Sequence, residues 1–394
     1  MTPSLNYISN AIVKAGSLIN GMGSPVRISV FLHIENGRIA AISGIRPNVD
    51  LPLVDLGGCT ILPGFIDCHV HLFMNAETSG ETRANLFSAD YDTLRPVIRR
   101  NVDRLAARGV AAVRDGGDPG AHAVRYKNEF LSGENTPLRV MAAGRAFYKP
   151  GRYGKIVGGP AVNGNRLLAA VGRSMETADH VKLINSGINS LKIFGEQTEP
   201  QFLVDELKAV VRLARKNRKK IMVHANGEVP VKEAVEAGVD SIEHGYFMGR
   251  DNLERMAEKG VFWVPTASPM QAFAQMGQEG GDVAARNLES QMEQIAFARR
   301  IGVQIALGTD AGSPGVYHGD SVIKELSLLL DAGYSVEQAV HCATSNGAEL
   351  LGLTNLGCLA PGLPAFFIAV PGSVENIPKS LKQIQVFRPA DGEG

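Results

Sequence analysis

Apolar positions along this chain change texture twice. Over the first sixty residues they come in short runs, as in ISVFLHIENGRIAAISG, where Asn36-Gly37 separates two apolar stretches. Asn-Gly between such stretches is a strong hairpin signal. From about residue 62 short apolar runs alternate with longer amphipathic stretches, the pattern of parallel strands joined by helices. The strand candidates are 62–70, 110–115, 138–144, 189–194, 220–225, 239–244, 260–265 and 303–309. Helices fill the gaps: TLRPVIRRNVDRLAARG repeats its apolar residues at helical spacing and stops at glycine, and QFLVDELKAVVRLARKN ends basic.

Eight strand-helix units over about 290 residues is the count and size of a (β/α)8 TIM barrel, an α/β fold. No G-x-G-x-x-G follows the first strand, so a doubly wound dinucleotide fold has no support. After the last strong helix, FFIAVPG and QIQVFRP are short and β-like again, which suggests that the two ends of the chain pair into one small β domain. On this division 1–61 and 356–394 form the small domain and 62–355 the barrel. The terminal ADGEG is expected to be disordered.

Composition narrows the function classes. Forty Lys+Arg balance forty Asp+Glu, which points away from nucleic-acid or anionic-membrane partners. The four cysteines, Cys59, Cys68, Cys342 and Cys358, form no C-x-x-C pair, so reduced thiols fit better than a disulfide framework or zinc finger. The N-terminus has no basic region followed by a long apolar stretch, and no window approaches the roughly 18 apolar residues of a membrane span. A soluble cytoplasmic protein acting on a small molecule is the expectation. The helical faces of a barrel also offer surfaces for a homo-oligomer.

The chemistry is concentrated where strands end. Asp67-Cys68-His69-Val70-His71 closes the first predicted strand, and histidines two apart on a strand point the same way. Lys192 lies near the end of the predicted fourth strand, His224 closes the fifth, His244 the sixth and Asp310 the eighth. Barrel enzymes build their sites from the C-terminal ends of several strands. A buried histidine taken alone is usually satisfied by one hydrogen bond, and His33, His122, His180 and His341 keep that reading, on the small domain or on predicted helices. Six ionisable groups at five strand ends instead indicate a metal site.

Taken in order, GFIDCHVH, the lysine, HANG, EHG and GTDAG resemble the amidohydrolase superfamily, and within it the imidazolonepropionase-like and prolidase-like branch. The resemblance spans nearly the whole chain and implies a barrel flanked by a small β-sandwich made from both termini. It implies that His69, His71 and Asp310 bind one divalent metal and His224 and His244 a second. Lys192 would bridge the two as an N6-carboxylated side chain, since an ammonium has no lone pair to give. Imidazole and carboxylate ligands suit zinc. The implied reaction is hydrolysis of an amide-type C–N bond in a dipeptide, N-acyl amino acid or cyclic amide, by a metal-bridging hydroxide with Asp310 as general base and then acid. Relatives carry a Gly-Lys-x-Ala-Asp-Leu element where this chain reads Gly362-Leu363-Pro364-Ala365-Phe366-Phe367.

Two loops are candidates for substrate recognition. Arg145, Tyr148, Lys149, Arg152, Tyr153 and Lys155 crowd the loop after the third strand. There Arg and Tyr could clamp an anionic group, or the charges could simply face water. In the loop after the eighth strand His318 could contact substrate or cap the next helix. Glu196 and Gln197 follow Lys192 and could line the same pocket. Asp67 could orient a metal ligand or bond backbone. A mononuclear deaminase of an aminated heterocycle is the nearest rival, although Glu228 lies one residue too far from His224 for the usual spacing and the lysine is present. A lactonase or phosphotriesterase-like hydrolase comes next. A non-catalytic barrel should lack a ligand or the base, and neither is missing.

Overall fold

The computed structural model describes residues 5–133, 136–160 and 162–390. Residues 391–394 of the tail expected to be disordered lie outside the described residues. Five strands occupy the N-terminal segment: β1 (Leu5–Ile8), β2 (Ala11–Leu18), β3 (Arg27–Glu35), β4 (Arg38–Ser43) and β5 (Leu53–Pro63). Seven more follow: β6 (Phe65–Val70), β7 (Val110–Asp115), β8 (Arg139–Ala142), β9 (His180–Ile184), β10 (Lys220–Ala225), β11 (Ser241–His244) and β12 (Phe262–Val264). The last two are β13 (Phe367–Pro371) and β14 (Gln385–Pro389).

The expected hairpin joins β3 to β4. Glu35 pairs with Arg38, and Asn36 and Gly37 both take positive φ, as a two-residue turn of this kind requires. Both ends of the chain meet in one seven-stranded sheet ordered β1-β14-β13-β5-β2-β3-β4. Hydrogen bonding makes it a single continuous sheet, so the two stacked layers of the expected sandwich are not what the pairing shows. Alternation gives it two apolar faces. Leu62, Ile368 and Val370 join the large central core, while their neighbours Ile61, Phe367 and Ala369 join a separate cluster with Val13, Leu32 and Ile39. The departure at Phe366 is absorbed there: the Phe366 ring lies against Gly64 and under the Arg388 guanidinium, 4.7 Å from the ring centroid.

The central strands form two parallel sheets, β6-β7-β8 and β9-β10-β11-β12. Their residues are buried on both faces, which is why they read as unbroken apolar runs. Backbone bonds link the two sheets on one side through Asp179 N to Ala142 O and Phe147 N to Lys182 O, each 2.9 Å. On the other side the expected eighth strand is irregular. Segment 303–311 joins its neighbours through the single bridges Trp263↔Ile305 and Val70↔Ala311. The larger correction concerns the fourth strand. Residues 189–194 are an irregular segment with Ile193 and Phe194 exposed, and the strand is β9, which begins nine residues earlier. His180, expected on a helix, opens that strand and is buried.

Two helices bear on the site: α1 (Gly80–Ser88) and α2 (Tyr91–Ala107). In α2, Leu94, Val97, Ile98, Asn101, Val102 and Leu105 recur at helical spacing and are buried. Asn101 donates from its amide to the carbonyls of Leu72 (2.9 Å) and Met74 (2.7 Å), pinning the loop that leaves β6. No helix among the described residues is long and apolar enough to cross a membrane.

Arg388 on β14 is buried, and its Nε and Nη2 have no hydrogen-bond partner among the described residues. A buried, unpaired guanidinium opposes folding. Arg388→Met is therefore expected to leave the thermal midpoint unchanged or raise it. A drop of more than about 3 °C in a melting curve would contradict this.

Candidate metal and substrate site

The structure brings His69, His71, His224, His244 and Asp310 to one cavity, with Lys182 deep in it and Lys192 at its rim. His69 and His71 lie at the end of β6 and Asp310 just beyond the segment paired to it. The Asp310 Oδ1 atom is 3.7 Å from His69 Nε2 and 3.5 Å from His71 Nε2. Ligand atoms of these three residues all lie within 4.8 Å of one another, a spacing that suits a metal ion. The His244 ring is 4.9 Å from that of His69 and 4.6 Å from that of His224.

Register explains the aim of these side chains. In the parallel pairing of β9 with β10, Lys182 lies opposite Met222 and Ile184 opposite His224. In that of β10 with β11, His224 lies opposite Glu243. Residues of one parity, Lys182, His224 and Glu243 among them, therefore share one face. His244 has the other parity and should point away. Its backbone takes φ +69°, turning it out of the strand alternation and into the cavity. Thr266 and Asp310 also take positive φ, at 46° and 54°. Left-handed backbone is costly for such residues and persists where surrounding structure enforces it.

Each imidazole has one nitrogen committed. His69 Nδ1 bonds Glu243 Oε2 (2.8 Å), His71 Nδ1 bonds the Gly117 carbonyl (3.0 Å), and His224 Nε2 bonds the Gly187 carbonyl (3.0 Å). His244 Nδ1 meets Thr266 Oγ1 at 2.6 Å. Orienting bonds of this kind fix the tautomer and leave the other nitrogen's lone pair free for a metal. Burial drives His71 down to about 3 and His224 to about 4, and holds His69 and His244 well below the usual range, so all four rings are neutral donors near pH 7. Burial raises the Asp310 carboxyl to about 6. Gly116 keeps the space between the rings open. A Cβ there would sit 2.7 Å from His71 Cε1 and 3.3 Å from His69 Nε2.

Glu243 is held in turn. Its Oε1 accepts from Arg114 Nη2 (2.7 Å) and Ser241 Oγ (2.5 Å), while Arg114 Nη1 reaches Ser241 Oγ (2.9 Å) and its Nε reaches the Cys68 carbonyl (2.8 Å).

The lysine differs from expectation. Lys192 is exposed in the irregular segment at the cavity rim. Lys182, in the middle of β9, is 1% exposed and lines the cavity floor with the four histidines. Its ammonium has no ion-pair or hydrogen-bond partner among the described residues, and burial brings it down to about 8. Sequence reasoning also missed Arg83, Glu243 and Thr266.

The cavity has a volume of about 590 Å³. Of the basic loop only Tyr153 reaches it, with Ile156 and Val157. Tyr148 is buried in the core, Arg145 is exposed, Lys149 pairs with Glu206 at 2.7 Å, and Arg152 donates to the Glu199 carbonyl at 2.6 Å. His318 is buried and bonds the His71 carbonyl (3.2 Å), so it neither lines the cavity nor caps a helix. Glu196 lines the cavity, but Gln197 instead accepts from the Glu228 backbone. Asp67 takes the backbone reading: it accepts from the amides of His69 and Thr309 and from Thr309 Oγ1 (2.6 Å).

Residues 60–391 match the Amidohydrolase family. The chain belongs to that family. Its metal-type residues, including the His-His-Asp group, accord with a family of generally metal-dependent hydrolases. Amidohydrolase relatives similar to this chain include ochratoxinase of Aspergillus niger, 26% identical with 96% of this chain and 83% of the relative covered. Imidazolonepropionase of Salinispora arenicola is 25% identical, with 92% and 90% covered. Among solved structures, a Xaa-Pro dipeptidase with methionine bound in its active site superposes with a TM-score of 0.84 at 28% identity, covering 96% of this chain and 98% of the other.

Proposed function

We propose that this amidohydrolase hydrolyses an amide-type C–N bond at a centre of two divalent cations set in a closed (β/α)8 barrel. His69, His71 and Asp310 would hold one ion, and His224 and His244 the other. Lys182, rather than Lys192, would lie between them as an N6-carboxylated side chain. The observation that carries the reading is the convergence on one cavity of four neutral imidazoles, Asp310 and a buried lysine with no partner among the described residues. Such a lysine is poorly placed as an ammonium. As a carbamate it offers two anionic oxygens, which suits a pair of cations. The imidazole and carboxylate donor set favours zinc. A dipeptidase among similar structures agrees with amide cleavage.

When bound, the cations would acidify a water and polarise the scissile carbonyl. Asp310 takes the proton of the attacking water and delivers it to the departing nitrogen, with Ser313 Oγ holding its second oxygen at 3.0 Å. The water oxygen joins the acyl carbon, the C–N bond breaks, and a carboxylic acid and an amine leave. Glu243 and Thr266 hold His69 and His244 in place. The deaminase reading would need a carboxylate near His224. Glu228 is exposed and lies outside the cavity.

The test is metal content by elemental analysis, on protein purified without chelators in bicarbonate. About two ions per chain are expected. Lys182→Ala should lose metal, while Lys192→Ala should keep it. A value of about one that ignores Lys182 would overturn the two-ion centre.

A further inference from the structure

Arg83 on α1 lines the same cavity and is half-buried. Its Nη1 donates to the Gly312 carbonyl (2.9 Å) and more weakly to that of Glu77 (3.4 Å). Its Nη2 lies 3.7 Å from Met74 Sδ, and the guanidinium sits 5.4 Å from the Phe87 ring centroid. These contacts fix its position without neutralising it. No carboxylate lies within 4 Å among the described residues, whereas the buried Arg114 has Glu243 and the half-buried Arg108 has Asp320. The cavity it lines has apolar stretches of wall, with Met74, Ile156, Val157, Ile188, Met270 and Phe273. A half-desolvated guanidinium facing such a wall favours an anion that arrives with the ligand.

A second donor accompanies it. The Tyr153 hydroxyl makes no hydrogen bond among the described residues, its ring packs 5.4 Å from that of His224, and its side chain lines the cavity. Gly312, which holds Arg83, lies two residues beyond Asp310, and Arg83 and Tyr153 both interact electrostatically with Asp310. Arg83 and Tyr153 thus share the cavity with Asp310, the group proposed above to protonate the departing nitrogen. An anion carried on the amine half of the substrate would meet the Arg83 guanidinium.

We propose that Arg83, assisted by Tyr153, receives a free carboxylate on the amine half of the substrate. The preferred substrates are then N-acyl amino acids, dipeptides included, whose carboxylate-bearing residue is apolar, over neutral amides. This rests on the amide-hydrolysis reading. Lys192 is the rival cation, but it is exposed at the rim, where water screens it.

The test compares N-acetyl-L-phenylalanine with N-acetyl-L-phenylalaninamide, reading release of phenylalanine or its amide. Calorimetry of L-phenylalanine binding gives a readout independent of turnover. The wild-type enzyme should prefer the acid, and Arg83→Met should reduce the acid-to-amide ratio of kcat/KM by about 100-fold. Arg83→Lys should recover part of the ratio, Lys192→Met should keep it, and L-phenylalanine should bind Arg83→Met more weakly by a similar factor. Equal hydrolysis of acid and amide overturns the carboxylate anchor and leaves amide hydrolysis standing. A preference that survives Arg83→Met and disappears in Lys192→Met assigns the anchor to Lys192 and overturns the proposal. If neither compound is cleaved but L-phenylalanine binds in an Arg83-dependent way, the anchor stands and the amide reading fails. If nothing is cleaved or bound, the anchor is overturned.

Discussion

Asp310→Asn is expected to lower kcat by about 10²–10⁴-fold on any amide the enzyme cleaves, the range that a positioned proton-transfer group contributes. The carboxamide keeps the shape and can still accept from Ser313 Oγ, but it cannot take a proton from water or return one to nitrogen. The substitution also touches a proposed metal ligand, since Oδ1 stands 3.5 Å and 3.7 Å from the two β6 histidines. Metal content measured on the same sample separates the two effects. A loss of rate with metal retained assigns Asp310 the proton. Loss of both rate and metal assigns it mainly ligation. A rate within about threefold of wild type would remove it from the mechanism.

The second large effect lies beneath the proposed metal ligands. Glu243→Leu should destabilise the metal-free protein by about 3–5 kcal/mol, because Arg114 would remain buried without its counter-charge. Equilibrium denaturation in urea measures this directly. His69 would also lose the acceptor at Nδ1 that fixes its tautomer, so metal affinity should fall by about 10–100-fold. Glu243→Gln keeps the volume and one acceptor, and its effects should be smaller on both counts. An unchanged denaturation midpoint for Glu243→Leu would mean that the buried network does not support the fold.

Most of the candidate site was legible because metal ligation restricts residue types and a parallel strand-helix fold restricts where they fall. His69, His71, His224, His244 and Asp310 each sit where a predicted strand runs out. The lysine was not legible from pattern alone. Val181-Lys182-Leu183-Ile184 and Leu191-Lys192-Ile193-Phe194 are both apolar runs around a lysine. Chain length distinguishes them. A helix occupies Gly164–Ser174, and the short connections usual in α/β units favour a strand beginning near 180 over one beginning at 189. Glu243 left a fainter signal, a charge inside a buried strand, which implies a partner without saying which. Arg83 left none, because its role depends on where a short helix comes to rest over the cavity. The basic loop left two readings open in sequence, an anion clamp or charges facing water, and in the structure Lys149 and Arg152 are engaged by Glu206 and the Glu199 carbonyl outside the cavity.

The terminal sheet also bears on how the chain is made. Strands β2 to β5 can pair with one another soon after synthesis, but among the described residues β1 pairs only with β14, and the bond from Asn6 to Val386 spans 380 positions. β1 must therefore wait without its sheet partner until the sequence between the two strands has been translated. Contacts of such separation form late and slowly, and an exposed strand edge in the meantime invites association with other chains. Closure of this sheet is thus a natural late step of folding, one that joins two stretches of chain 380 positions apart.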